Sequence, residues 1–106
     1  MRIPRQFELR GVLWRVRRVK NLKDADGEPS SGLTYPDDKL IKLDKSLEGA
    51  GLEWCFWHEY GHAILEESGL TRNTGGISEL AEEIWCDNFA DAMMGDKTVR
   101  WKRRKK

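Results

Sequence analysis

Leu52-Glu53-Trp54-Cys55-Phe56-Trp57-His58-Glu59-Tyr60-Gly61-His62-Ala63-Ile64-Leu65 decides how this chain folds. The run is apolar nearly all round, which predicts a buried central helix. Inside it lies HExxH, formed by His58, Glu59 and His62, and these are the only two histidines of the chain. Residues four apart on a helix share a face, so both imidazoles can reach one Zn²⁺. Glu59 falls beside them and suits a general base acting on metal-activated water. Buried imidazoles need partners, because an unsatisfied polar group in an apolar setting costs free energy.

Working outward, this helix should begin between Ser46 and Leu52 and end near Ser68, with Gly69 suited to a left-handed C-terminal position. Gly61 carries no Cβ and permits close approach of another element, while Phe56, Trp57, Tyr60 and Ile64 should face the sheet. A second helix is capped by Ser78 and runs to about Met94, where Gly95 stops it. Glu79, Glu82 and Glu83 sit near its positive end. Upstream, Phe7-Glu8-Leu9 and Val12 to Val19 flank Gly11 as strands, with Val12, Trp14 and Val16 on one face. Leu33-Thr34-Tyr35 and Leu40-Ile41-Lys42-Leu43 read as a second hairpin turned by Pro36-Asp37-Asp38. Asp24-Ala25-Asp26-Gly27 resembles part of a calcium loop but lacks the remaining ligands, so it reads as a plain loop. The expected fold is α+β: a small N-terminal antiparallel sheet, then the HExxH helix, then a helix carrying a third ligand.

With 106 residues the chain supports one domain and one modest core, to which five tryptophans contribute large side chains. No apolar stretch reaches the roughly 20 residues needed to span a bilayer. No signal-type apolar run follows Met1, and two cysteines are too few for a disulfide scaffold, so a cytoplasmic, reducing setting is expected. The net charge of +1 hides an asymmetry. Residues 97–106 hold seven Lys and Arg and no carboxylate side chain, whereas residues 1–96 are acidic and form the expected domain. Such a tail reads first as a solvated terminus and second as a weak contact for nucleic acid or an acidic partner.

A catalytic zinc takes three protein ligands and leaves a position for water. A third histidine is lacking, so the second helix must supply a carboxylate or thiolate from Glu79, Glu82, Glu83, Asp87 or Cys86. Glu83 and Asp87 are four apart and share a face; with Glu83 as ligand, Asp87 can orient a histidine ring from outside. Cys86, and Cys55 one turn before His58, read as small buried hydrophobes ahead of ligands.

HEYGH followed by Glu83-Ile84-Trp85-Cys86-Asp87-Asn88-Phe89-Ala90 resembles the gluzincin metallopeptidases, and within them the compact ImmA/IrrE-type enzymes of bacteria, phages and mobile elements. The likeness spans roughly Trp57 to Met94. It implies His58, His62 and Glu83 as zinc ligands, Glu59 as catalytic base and Asp87 as a supporting carboxylate. Cys86, Met93-Met94 and Gly95-Asp96 depart from that family's usual residues, which bears on substrate more than on metal. A protein or peptide substrate follows, with an extended segment pairing along Leu40–Leu43 and Tyr35 a candidate for stabilising the oxyanion. SprT-like DNA-associated proteases also carry HExxH, but their usual third ligand is a histidine. The competing reading is a non-catalytic zinc-stapled binding module, which needs a fourth ligand such as Cys55 or Cys86.

Overall fold

A computed structural model describes residues 2–95. Four strands precede two helices: β1 (Gln6–Leu9), β2 (Val12–Val19), β3 (Gly32–Tyr35), β4 (Leu40–Asp44), α1 (Gly49–Glu67) and α2 (Glu79–Met93). The α+β class is as expected, with the sheet before the helices. The basic tail lies outside the described residues.

The sheet runs in the order β1-β2-β4-β3. Its pairing corrects the all-antiparallel expectation. β1 with β2 and β3 with β4 are antiparallel, but β2 and β4 are parallel. The reason lies in residues 20–31, which are too many for a hairpin. They hold the chain at the end of the sheet where β2 leaves it, so β3 returns along the outside and β4 slots between β3 and β2. The loop is pinned there by Leu22 N–H donating to Asp44 Oδ1 at 2.7 Å and by Lys45 N–H donating to Val19 O at 2.8 Å. Within it the Asp24 carboxylate accepts the backbone N–H groups of Asp26 and Glu28, each at 2.9 Å, so it folds as a self-capped turn. By contrast, Arg10 (φ 50°) and Gly11 (φ 81°) both take positive φ, the two-residue hairpin geometry that matches strand twist.

Alternation along β2 and β4 sends Trp14, Val16, Ile41 and Leu43 to one face, where α1 covers them with Cys55, Phe56 and Ala63. Phe7 stacks on Trp14 and meets Phe56 and Tyr60 from the side. Trp57 packs against this core and also bridges its rings to Phe89 of α2. The buried Trp14 indole N–H donates to Glu67 Oε2 at 2.9 Å, and Lys39 Nζ pairs with the same oxygen at 2.7 Å. A buried indole must keep a hydrogen bond, and these two contacts tie the end of α1 back to the sheet.

α2 packs on α1 through Cys86, Ala90 and Phe89. Gly61 makes that approach possible. A Cβ there would lie 3.2 Å from Cys86 Sγ and 3.3 Å from the Trp85 ring, closer than ordinary van der Waals contact. The ends follow the sequence reading: the Ser78 hydroxyl accepts from Ala81 N–H at 3.1 Å, and Gly69 and Gly95 take positive φ just past the helices.

Two outcomes follow. Gly61→Leu should cost about 1–3 kcal/mol by overpacking the helix interface, read from denaturant unfolding. The Ser46 hydroxyl, with the Leu22 and Ser46 backbone N–H groups, holds the Asp44 carboxyl below its ordinary 3.8. Stability from this group is present above that value and is lost as pH falls through the lower folded one. Asp44→Asn should therefore flatten the acid limb of the stability profile below about pH 4.

Candidate metal centre

His58 and His62 stand one turn apart on α1 and turn their rings toward α2. Their Nε2 atoms are 3.3 Å apart. Glu83 bridges them from α2, with Oε1 3.1 Å from His58 Nε2 and Oε2 3.1 Å from His62 Nε2. Among the described residues these three form the one group of side chains poised to hold a metal ion, all donor atoms lying within 4.8 Å of one another. Donors at about 2.0–2.1 Å in tetrahedral array around zinc lie roughly 3.3–3.4 Å from each other. The observed separations fit that spacing.

The outer ring nitrogens define the chemistry of the inner ones. His62 Nδ1 lies 2.6 Å from Glu82 Oε2, a short charge-assisted contact that places the proton on Nδ1 and leaves the Nε2 lone pair facing Glu83. Asp87 Oδ1 lies 3.0 Å from His58 Nδ1 but forms no hydrogen bond with it. His58 Nδ1 is thus buried and close to a carboxylate without a formed hydrogen bond. Two imidazole nitrogens and a carboxylate converging at 3.1–3.3 Å are held together by a shared proton or by a cation between them. The donor types and their spacing fit a divalent ion. Trp54, one turn before His58, stacks on its ring at 5.2 Å and donates its indole N–H to Asp91 Oδ1 of α2 at 2.9 Å.

Glu59 occupies the same cleft from the sheet side of α1. It is 7% exposed, and burial pushes its carboxyl above the usual range. The Thr34 hydroxyl on β3 opposes that shift by donating to Oε1 at 2.6 Å. Gly32, on the same strand, leaves room for it. A Cβ on Gly32 would stand 2.8 Å from Cys55 Sγ and 3.0 Å from Glu59 Cγ. The cleft encloses about 350 Å³ between Gly32–Thr34, the two helices, and Thr71 and Asn73.

Of the residues expected at the site, His58, His62, Glu83, Glu59 and Asp87 come together there. Glu82 is not a rival ligand; it backs His62 on the far side of the ring. Glu79 lines the cleft without joining the donor group. The cysteines are core residues: Cys86 packs against Gly61, and burial pushes Cys55 up to about 12 and Cys86 higher still. Tyr35 is not in the cleft; its ring sits beneath Lys42 Nζ at 5.0 Å. Leu40–Leu43 cannot receive a strand, because β4 is paired on both sides, and β3 is the edge beside the cleft. Sequence reasoning missed Thr34, Gly32 and Trp54. Trp54 alone left a signal, its spacing of four from His58.

The chain matches no family model, no curated protein and no solved structure.

Glu83→Ala should abolish stoichiometric zinc, measured by elemental analysis after dialysis. Glu82→Gln should keep the site but weaken zinc by roughly 10–100-fold, read by competition with a chromophoric chelator.

Proposed function

We propose that this chain is a zinc-dependent metallopeptidase of the gluzincin kind, compact and ImmA/IrrE-like, acting on an extended protein segment in a cytoplasmic, reducing setting. The observation that carries this reading is the convergence of His58, His62 and Glu83 beside a buried Glu59 in one open cleft. Three donors rather than four, with both cysteines packed elsewhere, argue against a purely structural zinc among the described residues. No helix of the described residues is long and apolar enough to cross a membrane.

Zinc held by these donors would supply Lewis acidity and an acidified water. The protein's own part begins with Glu59. Its Oε1 is engaged by Thr34, which leaves Oε2 to take up a proton and later return it to the leaving amine. Burial raises its proton affinity, so the carboxylate is a stronger base than an exposed one. Glu82 steadies the His62 imidazole by a hydrogen bond, and the Asp87 carboxylate beside His58 favours positive charge on that ring as charge builds in the cleft. The free edge of β3 offers backbone groups to an extended peptide, and Gly32 keeps that approach open.

Glu59→Gln should bind zinc as the wild type does and lose at least about 10²-fold in cleavage of a quenched-fluorescent peptide library, the usual scale for a general base. Wild-type turnover by the zinc-loaded variant would refute the assignment.

A further inference from the structure

Basic residues are concentrated at the start of the chain and acidic ones in the helices. Residues 2–20 hold seven Lys and Arg and one carboxylate, whereas residues 49–95 hold nine carboxylates and one Arg. The basic stretch is β1, β2 and their approach. Arg5, Gln6, Arg15, Val16, Arg17 and Arg18 line a groove of about 420 Å³ that includes no carboxylate. It lies where the eight-residue β2 outruns the four-residue β1. The ladder between them ends at Gln6 opposite Arg15, and Val16 N–H donates to Arg5 O at 2.8 Å just beyond it. Past that point β2 has no partner on this side, so the groove floor is sheet edge with unpaired backbone groups.

The arginines differ in what already holds them. Arg18 is spent on the fold, its Nη2 donating to the carbonyls of Asp44, Lys45 and Leu47 at 2.8–3.3 Å. No ion pair or side-chain hydrogen bond engages Arg5, Arg15 or Arg17 among the described residues. Glu8, the carboxylate of β1, is paired in register with Leu13, two positions along the ladder from the Gln6–Arg15 pair, and does not line the groove. Arg15 and Arg17 alternate on one strand and so project about 6.7 Å apart on the face away from α1. That is close to the separation of successive phosphates along a nucleic-acid strand.

We infer that this groove is a second binding site, remote from the metal centre, for the phosphate backbone of single-stranded nucleic acid, held by Arg5, Arg15 and Arg17. Guanidinium forks suit phosphate oxygens, and the β2 edge beyond Val16 adds backbone contacts that carry no sequence information. A single strand fits the groove better than a duplex, since Arg15 and Arg17 follow one β-strand and Arg5 lines the same groove beside them. Recognition is sequence-tolerant, because no aromatic side chain lines the groove to stack a base.

The test measures fluorescence anisotropy of a labelled mixed-sequence DNA 15-mer against the full chain from 50 to 200 mM salt. Compared with it are the triple variants Arg5→Ala/Arg15→Ala/Arg17→Ala and Arg5→Lys/Arg15→Lys/Arg17→Lys, and a full-length chain with Lys102, Arg103, Arg104, Lys105 and Lys106 changed to Ser. Circular dichroism melting shows whether each is folded. The expected result is binding by the wild type, a loss of at least about tenfold in the alanine triple, and a salt slope shallower by about two, the share of three phosphate contacts. The lysine triple should keep most of the salt slope, which separates lost charge from lost fold. Equal binding by a folded alanine triple would overturn the inference, as would binding abolished by the tail substitutions alone. Binding of phosphatidylserine vesicles without the oligonucleotide would also overturn it, in favour of a lipid surface. So would salt-sensitive self-association without oligonucleotide binding, with the acidic helices of a second copy seated on the groove.

Discussion

A hydrogen atom in place of a methyl group at Gly61 sets the distance between the two helices, and the metal centre depends on that distance. Cys86 and the Trp85 ring occupy the space a larger side chain would need. Because they do, Glu82, Glu83 and Asp87 come within 2.6–3.1 Å of imidazole nitrogens that belong to another element. Donor spacing at a metal tolerates only tenths of an ångström. A glycine in a helix interior costs up to about 1 kcal/mol against alanine, and here the cost is offset by packing and by the site it allows.

The same logic recurs on the other side of α1. Gly32 clears space for Glu59, and Thr34 two residues later ties down one of its oxygens. Both residues are on β3, the short edge strand, so the sheet positions the Glu59 carboxylate and the second helix brings Glu83 to the two histidines of α1. α1 is the shared wall. Its near-continuous apolar surface is what lets it serve both neighbours, with Phe56 and Ala63 in the core and Trp57 bridging toward Phe89. A small domain with one core cannot separate its stability from its site. The Trp14–Glu67–Lys39 contacts and the Trp54–His58 stack show the large aromatics acting as both filler and fixture.

The basic start of the chain and the acidic helices belong to the same economy of size. A cleft that gathers Glu59, Glu66, Glu79, Glu82 and Glu83 repels itself in the absence of a cation. Placing the unpaired arginines across the sheet, away from that cleft, keeps them from neutralising carboxylates that orient the histidines. The sheet face opposite α1 is therefore free to carry a function of its own.

What the sequence settled on its own was local and periodic. HExxH put two imidazoles on one helical face; alternation in Val12, Trp14 and Val16 marked the core face of a strand; Ser78, Gly69 and Gly95 marked helix ends. These follow from 3.6- and 2-residue periods and from cap chemistry, which need no knowledge of the rest of the chain. The candidate donor group was readable for the same reason, although Glu82 and Glu83 could be told apart only once α2 was set against α1, since one residue of helix phase swaps the carboxylate between the two histidines for the one behind His62. Strand order was decided by tertiary structure alone. β4 lies inside the sheet and parallel to β2 because the 20–31 loop is anchored at the sheet end through Asp44, a contact 22 residues apart in sequence. The Thr34–Glu59 and Gly32–Cys55 contacts likewise join residues 25 and 23 apart, and no period or motif encodes a meeting that depends on how two elements pack.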